Sequence, residues 1–192
     1  MAGTTSGADP APSIAPITAE HAAFIASATF VFVMSGAPDA APDVSPRGDA
    51  PGFVRLIGND RLRLPDRLGN NRIDTIQNVM ADPRVAMVFL SGGDNRILEI
   101  TGCASILMDS ASLAEFEYNQ RLPRSVMEIA VTSASLRHSS AFDDSDFWAM
   151  RAGGQEAAIM PSFGEILAEQ VGGMTKEQAE GFVTNSYQNR LY

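Results

Sequence analysis

The segment Arg61-Leu-Arg-Leu-Pro-Asp-Arg-Leu-Gly-Asn-Asn-Arg-Ile-Asp-Thr75 changes its pattern part-way along and predicts a strand, a loop and the start of a helix. Leucine and arginine alternate at first, which places both leucines on one face of a β-strand and both arginines on the other. Apolar residues then recur at helical spacing from about Arg72 to Ala81, where Asp82-Pro83 ends the helix.

The loop between this strand and this helix carries groups that bind anions. Arg67 and Arg72 supply positive charge, and Asn70 and Asn71 can donate amide hydrogen bonds. The N-terminus of a helix adds unpaired N–H groups and partial positive charge. Two interpretations stay open on these residues alone: a phosphate site, and a polar loop in which Asn71 caps the helix.

A second motif, Asp43-Val-Ser-Pro-Arg-Gly-Asp49, precedes the first. It is unusual for a central strand, because Pro46 cannot donate a ladder hydrogen bond. Ser45 and Arg47 are two residues apart and point to the same side of an extended chain. The motif fits a bent strand that lets a flat ring approach the backbone, and it also fits an ordinary edge strand or turn.

The rest of the chain reads as short strands joined mostly by turns, with helices between and after them. The turn Gly58-Asn-Asp60 predicts a hairpin, and Gly102 a bulge. The apolar run 84–90 predicts a strand buried on both faces. The predicted strands are 30–34, 53–57, 62–64, 84–90, 97–108 and 125–136, and the helices follow Thr18 or span 72–81, 110–118, 142–150, 162–171 and 176–187.

Six or seven strands without regular crossover helices favour a small antiparallel barrel over a parallel α/β sheet. A chain of 192 residues fits one domain. We expect residues 1–16 to form a flexible tail, 17–150 the barrel, and 151–192 a C-terminal helical extension of the same domain.

Charge and composition exclude several classes of protein. The net charge of −9 argues against nucleic acid or an anionic membrane as partner. Seven of the 14 basic residues nevertheless lie within residues 47–84, and all seven are arginines. At least three are expected on solvated strand faces, whereas others could bind phosphate.

The cysteine and the histidines give no indication of a catalytic or metal-binding site. Cys103 is the single cysteine and is expected to be a small core residue, and the two histidines are too far apart in sequence to suggest a metal site. No apolar run is long enough to span a bilayer, so we expect a soluble, cytoplasmic protein.

Taken together, five motifs resemble the pyridoxamine 5′-phosphate oxidase-like family of FMN-binding split-barrel proteins. They are Asp43-Val-Ser-Pro-Arg-Gly-Asp49, Pro51-Gly-Phe53, Leu64-Pro-Asp-Arg-x-Gly-Asn-Asn-Arg-x-Asp74, Asp82-Pro-Arg-Val85 and Gly102-x-Ala104. The resemblance extends over about Thr18 to Trp148. It implies a mainly β (α+β) fold, namely a six-stranded antiparallel split β-barrel with flanking and C-terminal helices. It also implies a homodimer with FMN at sites built from both subunits.

The resemblance also implies which residues contact FMN. Three residues of the first motif would lie along the isoalloxazine ring, three of the second would line its other edge, and the loop and helix start would surround the phosphate. A second subunit would contribute His138 and Trp148. The full set is Ser45, Pro46, Arg47, Leu64, Pro65, Asp66, Arg67, Asn70, Asn71, Arg72, Thr75, His138 and Trp148.

The chain departs from the vitamin B6 oxidases proper. Those enzymes have an Arg-x-x-x-x-Lys strand, a Ser-Arg-Lys phosphate motif and an Arg-Leu-x-Pro ending, where this chain has Ser-Pro-Arg-Gly, Asn-Asn-Arg and Arg-Leu-Tyr. The C-terminal part, with Pro161-Ser-Phe-Gly164 and Asn189-Arg-Leu-Tyr192, is similar to a different branch. Vitamin B6 oxidation is therefore not expected.

The predicted function is an FMN-dependent oxidoreductase that exchanges electrons with a small molecule. Flavin carries this chemistry itself, and no pair of nucleophile and base is visible in the sequence. Arg47, a lone cation beside the bend at Pro46, is a hypothetical stabiliser of the reduced flavin. The alternatives are a non-catalytic FMN-binding protein for storage or redox sensing, and a barrel that binds haem or a deazaflavin.

Overall fold

The computed structural model describes residues 16–38, 41–67, 74–145, 147–148, 161–171 and 173–189. These contain six helices and seven strands. The strands are β1 (Phe30–Ser35), β2 (Asp43–Gly48), β3 (Arg55–Ile57), β4 (Arg61–Asp66), β5 (Arg84–Leu90), β6 (Arg96–Leu107) and β7 (Ser125–His138). The helices are α1 (Ala19–Ser27), α2 (Asp74–Ala81), α3 (Ser110–Ala114), α4 (Ser140–Asp144), α5 (Phe163–Val171) and α6 (Lys176–Asn189).

All seven strands belong to one antiparallel sheet in the order β2-β1-β5-β6-β7-β4-β3. The antiparallel β fold with helices is as predicted. The strand number is not, because the expected six become seven. The sheet is also not closed by hydrogen bonds, since its order is linear and β2 and β3 are its two edges.

Local sequence signals place most elements correctly. Helix α1 begins at the predicted cap, where Thr18 Oγ1 accepts a hydrogen bond from the His21 amide at 3.3 Å. The alternation in β4 buries Leu62 and Leu64 and leaves the arginines outside. Helices α3 and α4 are shorter than predicted, and part of the predicted helix 142–150 lies outside the described residues.

The core lies between the inner face of the sheet and α1 and α2. Its fully buried side chains include Val31 and Val33 of β1, Phe89 of β5 and Leu98 of β6. Burial of such side chains is the main favourable contribution to folding. The packed core fixes the positions of the strands, and thereby the positions of the polar residues at the ends of β2 and β4.

Strand β5 differs from the prediction of burial on both faces. Its residues alternate between buried and half-buried, so the face opposite Val85, Met87 and Phe89 is covered by no other described element. The apolar residues on that outer side continue onto β1 and β2. We call this set the outer apolar face, and it comprises Phe30, Phe32, Met34, Val44, Pro46, Ala86, Val88 and Leu90.

The predicted bulge is confirmed at Gly102, where the register between β6 and β7 shifts. A Cβ atom at Gly102 would lie 2.4 Å from the carbonyl oxygen of Ala130. Only glycine fits this contact, because the two backbones are too close for any side chain. Cys103, the next residue, is half-buried and not the core residue that was predicted.

The two C-terminal helices form where the sequence predicts them, and they pack against each other. The Gly164 Cα lies so close to Glu180 that an added Cβ would meet the Glu180 side chain. Within the described residues, none of the helices has the length and hydropathy of a membrane span.

Candidate functional site

Two ion pairs connect strand β2 to the end of β4, although no backbone ladder joins these strands. Arg47 Nη1 lies 2.8 Å from Asp66 Oδ1, and Arg67 Nε lies 3.0 Å from Asp49 Oδ2. Each segment thus supplies one arginine and one aspartate. All four side chains are about four-fifths buried, so lost hydration offsets much of the attraction. The two pairs therefore matter mainly for geometry, because they fix the distance across the gap between β2 and the end of β4, which we call the split.

Strand β3 leaves room for this split because it is short. It pairs only with residues 61–63 of β4, so the segment Leu64–Asp66 faces β2 through side chains. Both site prolines lie on these segments: Pro46 in the edge strand β2, and Pro65 beyond the reach of β3. Proline is tolerated at such positions, where fewer ladder hydrogen bonds are required. The predicted edge-strand character of the Pro46 motif is confirmed.

A shallow pocket that is open to solvent lies at this split. Four of the predicted cofactor-binding residues line it: Arg47, Leu64, Pro65 and Asp66. The sequence analysis did not identify the other four lining residues, Ile76, Ile106, Ser125 and Met127. The pocket is apolar apart from the ion pair and one hydroxyl, a composition typical of small-molecule sites.

The exposure of the lining side chains increases from the floor of the pocket to its rim. Leu64, Ser125 and Met127 are no more than 5% exposed, whereas the Arg47 and Asp66 side chains are about one-fifth exposed. Ser45 lies beside the rim, where its Oγ accepts a hydrogen bond from Arg47 Nε at 3.1 Å. This contact confirms that Ser45 and Arg47 share one side of β2.

Arg47 is not the lone cation that the sequence suggested. Its contact with Asp66 cancels much of its charge at the pocket. The sequence could not show this pair, because the two residues are 19 positions apart and belong to strands that do not hydrogen-bond to each other. The charge that Arg47 presents to the pocket therefore depends on Asp66 as well.

Arg67 lies beyond the rim at the beginning of the predicted anion-binding loop. Its Nη1 donates to the carbonyl oxygen of Phe116 at 3.1 Å, and its guanidinium carbon lies 5.3 Å from the centre of the Tyr118 ring. These contacts, with Asp49, hold the guanidinium beside the start of the loop. Asn70, Asn71 and Arg72, the other residues predicted to hold the phosphate, lie outside the described residues.

Thr75, at the start of α2, is buried and donates a hydrogen bond from Oγ1 to Asp43 Oδ2 at 3.0 Å. One turn later, Asn78 Nδ2 donates to Ser35 Oγ at 3.2 Å. These two contacts seat α2 across β2 and β1. The beginning of α2 is therefore held next to the split, as a phosphate site at its N-terminus requires.

Three further arginines within residues 47–84 form ion pairs outside the pocket. Arg61 and Arg63 both contact Glu128 on the outer side of the sheet, and Arg63 also contacts Glu115. Hydrogen bonds that Arg63 donates to these carboxylates, first to Glu128 and then to Glu115, raise the pKa of Arg63. Arg84 pairs with Asp82 in an exposed turn. Arg55, Arg61 and Arg84 are exposed on β3, β4 and β5, which confirms the expectation that at least three of the seven arginines lie on solvated strand faces.

His138 and Trp148 are not near the pocket of their own chain. His138 ends β7, whereas Ser125 of the pocket begins it, and 13 residues of strand separate them by roughly 40 Å. His138 Nε2 contacts Asp143, and Trp148 Nε1 donates to the carbonyl oxygen of Asp94 at 3.2 Å. Their predicted place beside a cofactor requires a second copy of the chain and stays a prediction.

Three of the four lining residues that the sequence analysis missed, all except Ile76 of α2, were missed for the same reason. In the β4–β7 ladder Ser125 lies opposite Asp66, and Met127 lies opposite Leu64. Ile106 is in turn the partner of Met127 in the β6–β7 ladder. Only the register between distant strands brings them together, and no local motif encodes that register.

The comparisons with known proteins agree with this architecture. The family model for pyridoxamine 5′-phosphate oxidase matches residues 17–138, which is well over half of the chain. The chain belongs to the pyridoxamine 5′-phosphate oxidase-like family. The matched region begins before α1 and ends with the last residue of β7, so the family region contains the whole sheet and the split.

Solved structures show that other proteins share the fold of this family member. HupZ from Group A Streptococcus is 16% identical, with a TM-score of 0.52 over 64% of this chain and 95% of HupZ. A putative pyridoxamine 5′-phosphate oxidase from Lactobacillus delbrueckii is 14% identical, with a TM-score of 0.50 over 62% of this chain and 93% of that protein. At these identities the likeness concerns the fold alone. No curated protein matches the chain.

Proposed function

We propose that this protein binds FMN in the split between β2 and β4 and acts as an oxidoreductase on a small molecule. The observation that carries the proposal is the pocket in which Arg47, Leu64, Pro65 and Asp66 meet. These residues come from two separate sequence motifs, and the resemblance implied flavin contact for all four. The family assignment adds independent support.

The residues present fit a flavin in two respects. The walls of the pocket are aliphatic and can contact a planar ring, while Ser125 Oγ is buried without a hydrogen-bond partner among the described residues. Unpartnered buried polar groups are uncommon in native proteins and call for an explanation such as a bound group. Beyond the rim, Arg67 and the start of α2 would hold the phosphate.

Bound FMN supplies hydride and electron transfer, and the protein supplies binding, orientation and electrostatics. Leu64, Ile106 and Met127 would exclude water from one side of the ring. The Arg47–Asp66 pair would set the local charge, because a guanidinium near the ring favours the anionic reduced form and a carboxylate opposes it. No side-chain acid or base is required for this role.

The substrate is proposed to differ from that of the vitamin B6 oxidases. The chain has Ser-Pro-Arg-Gly and Asn-Asn-Arg where those enzymes have more basic motifs. In the described residues near the split, Arg47 and Arg67 are each matched by an aspartate. A second phosphorylated molecule would gain little attraction from a site whose charges are already paired.

We also propose that a second copy of the chain covers the outer apolar face and completes the site. Pro46 of the face and Arg47 of the pocket lining are neighbours on the edge strand β2, although their side chains point to opposite sides of it, so the face ends at the strand that borders the pocket. A copy seated there would bring its own residues next to the cofactor. His138 and Trp148 could reach a pocket only in this way, because they lie at the far end of β7 in their own chain.

The dimer is tested with Val88→Lys, which places a charge in the middle of the outer apolar face. We expect the wild type to sediment as a dimer and this variant as a monomer with weakened FMN binding. Ser135→Lys is the control, because Ser135 is exposed on the same side of the sheet but outside this face. A monomeric wild type with full FMN affinity contradicts the proposed dimer.

The binding proposal is tested by adding FMN to the purified protein and following flavin fluorescence and absorption. Saturable binding of one FMN per chain is expected, and failure to bind FMN contradicts the proposal. Haem and a deazaflavin are titrated in parallel to compare the ligands directly. Turnover of NADH or NADPH with an electron acceptor then separates an oxidoreductase from a storage or sensing protein, which consumes neither.

A further inference from the structure

The pocket at the split contains a single neutral polar side chain, and it is unsatisfied. Ser125 is 4% exposed, and its Oγ is the one buried side-chain oxygen or nitrogen without a hydrogen-bond partner among the described residues. Leaving such a group unpaired is unfavourable, because the hydrogen bonds that it makes to water in the unfolded chain are not replaced. The other buried serines differ: Ser35, for example, accepts a hydrogen bond from Asn78 Nδ2.

The surroundings of Ser125 restrict what can pair with it. Its neighbours in the lining are Leu64, Met127 and Ile106, which offer no hydrogen-bonding side-chain group. Asp66 lies opposite Ser125 in the β4–β7 ladder, but its carboxylate is engaged by Arg47. The hydroxyl therefore has to find its partner in whatever fills the pocket.

Resting on the proposed FMN site, we propose that Ser125 is the polar anchor of the flavin ring and determines its orientation. The hydroxyl donates a hydrogen bond to a carbonyl oxygen or ring nitrogen at the pyrimidine edge of the isoalloxazine. The opposite, dimethylbenzene edge has no hydrogen-bonding group and would leave Ser125 unpaired. The pyrimidine edge thus faces the floor of the pocket.

The Arg47–Asp66 pair lies on the path to this anchor. It forms the more exposed part of the lining, whereas Ser125 Oγ is out of reach of solvent. Entry of the ring therefore requires the two side chains to move while the floor stays in place. This makes Ser125 a fixed contact and the ion pair an adjustable one.

Two variants and a matched control test the anchor. In Ser125→Ala the unpaired hydroxyl is removed, so the melting temperature of the FMN-free protein should stay the same or rise. Its dissociation constant for FMN should rise about five- to tenfold, as expected for the loss of one hydrogen bond. Ser125→Cys keeps nearly the same size with a weaker donor and should give a smaller loss of affinity in the same direction.

The control is Ser112→Ala in α3, which truncates an equally buried serine whose side chain is hydrogen-bonded to Asp109 and does not line the pocket. It should lower the melting temperature of the FMN-free protein and leave the FMN dissociation constant within about twofold. The infrared carbonyl bands of bound FMN give a second readout. They should move to higher frequency in Ser125→Ala and stay unchanged in Ser112→Ala.

The outcomes separate this inference from the proposed function. Wild-type protein that binds no FMN overturns both. Wild-type protein that binds FMN, with Ser125→Ala and Ser125→Cys within twofold of its affinity and with unshifted carbonyl bands, overturns the anchor alone. If Ser125→Ala is too unstable to assay, the Ser125→Cys affinity and carbonyl bands decide.

Discussion

Arg47 Nη1 and Asp66 Oδ1 lie 2.8 Å apart, although their strands occupy nearly opposite ends of the sheet order. β2 is one edge of the sheet, and β4 is next to the other edge. Their contact shows that the open sheet curls until its two ends meet, and that side chains close what the backbone leaves open. The pocket lies at this junction, which is why its charge balance depends on a single arginine and a single aspartate.

Substitutions in the Arg47–Asp66 pair should shift the midpoint potential of a bound flavin in either direction, depending on which partner is removed. Asp66→Asn leaves the guanidinium without its counter-charge and should raise the midpoint potential of bound FMN. Arg47→Ala leaves the carboxylate unopposed and should lower it. A shift on the order of 30 mV corresponds to about 1.4 kcal/mol for a two-electron couple. Potentiometric titration measures both, and Arg61→Ala on the outer side of β4 is the control; equal potentials in all three variants would reject this role.

Arg67 should recognise the phosphate of FMN and not the ring. Arg67→Met should weaken FMN binding about tenfold or more, because a charge-assisted hydrogen bond is lost. Riboflavin lacks the phosphate, so its affinity should change less than twofold. Asp49→Asn should have the opposite sign and tighten FMN binding, since Asp49 competes for the same guanidinium. Parallel fluorescence titrations with both flavins provide the comparison, and an equal loss for the two would refute it.

Gly102 is expected to be irreplaceable at the bulge. An alanine Cβ would lie 2.4 Å from the Ala130 carbonyl oxygen and 2.6 Å from Ile129 Cγ2, so the β6 and β7 backbones would have to separate. Such overpacking costs about 1–3 kcal/mol, which lowers the melting temperature by about 2–4 °C per kcal/mol in a chain of this size. Gly92→Ala is the control, because its Cβ would meet nothing within 4 Å. Thermal unfolding of both variants is the measurement, and equal melting temperatures would contradict the packing argument.

The turn between α2 and β5 should contribute stability that depends on pH. Hydrogen bonds from the Arg84 side chain, and then from its backbone, lower the pKa of Asp82 to about 2 from an ordinary value of 3.8. Because the pKa is lower in the folded protein, this stabilisation is complete above about pH 4 and is lost as the pH falls toward 2. The difference in melting temperature between wild type and Asp82→Asn should therefore shrink over that range.

Arg84→Gln removes the side-chain contact but keeps the backbone N–H of residue 84 as a donor to Asp82, so it should reproduce only part of the pH dependence of Asp82→Asn. Melting curves recorded between pH 7 and pH 2 test both variants together. A difference from wild type that stays constant across the whole range would mean that the Asp82 carboxylate is not responsible.

The sequence alone determined the elements and the identity of several site residues, because these depend on local patterns. Alternation in Arg61-Leu-Arg-Leu64 fixes the inner face of β4, Thr18 fixes the start of α1, and Gly102 marks the bulge. The two motifs around Pro46 and Pro65 named four residues that the structure gathers into one pocket. Residues within one strand or turn interact at fixed spacings, so their relation can be inferred without a fold.

Only the tertiary structure decided the rest, because strand register and sheet curvature depend on contacts between distant segments. No local pattern pairs Asp66 with Arg47 or places Ser125 under them. The half-buried outer side of β5 has the same origin, since an apolar run shows that residues avoid water but not which neighbour covers them. The one polar side chain in the floor of the pocket, Ser125, is thus placed there by the folded sheet, because the register between β7 and β4 sets it opposite Asp66.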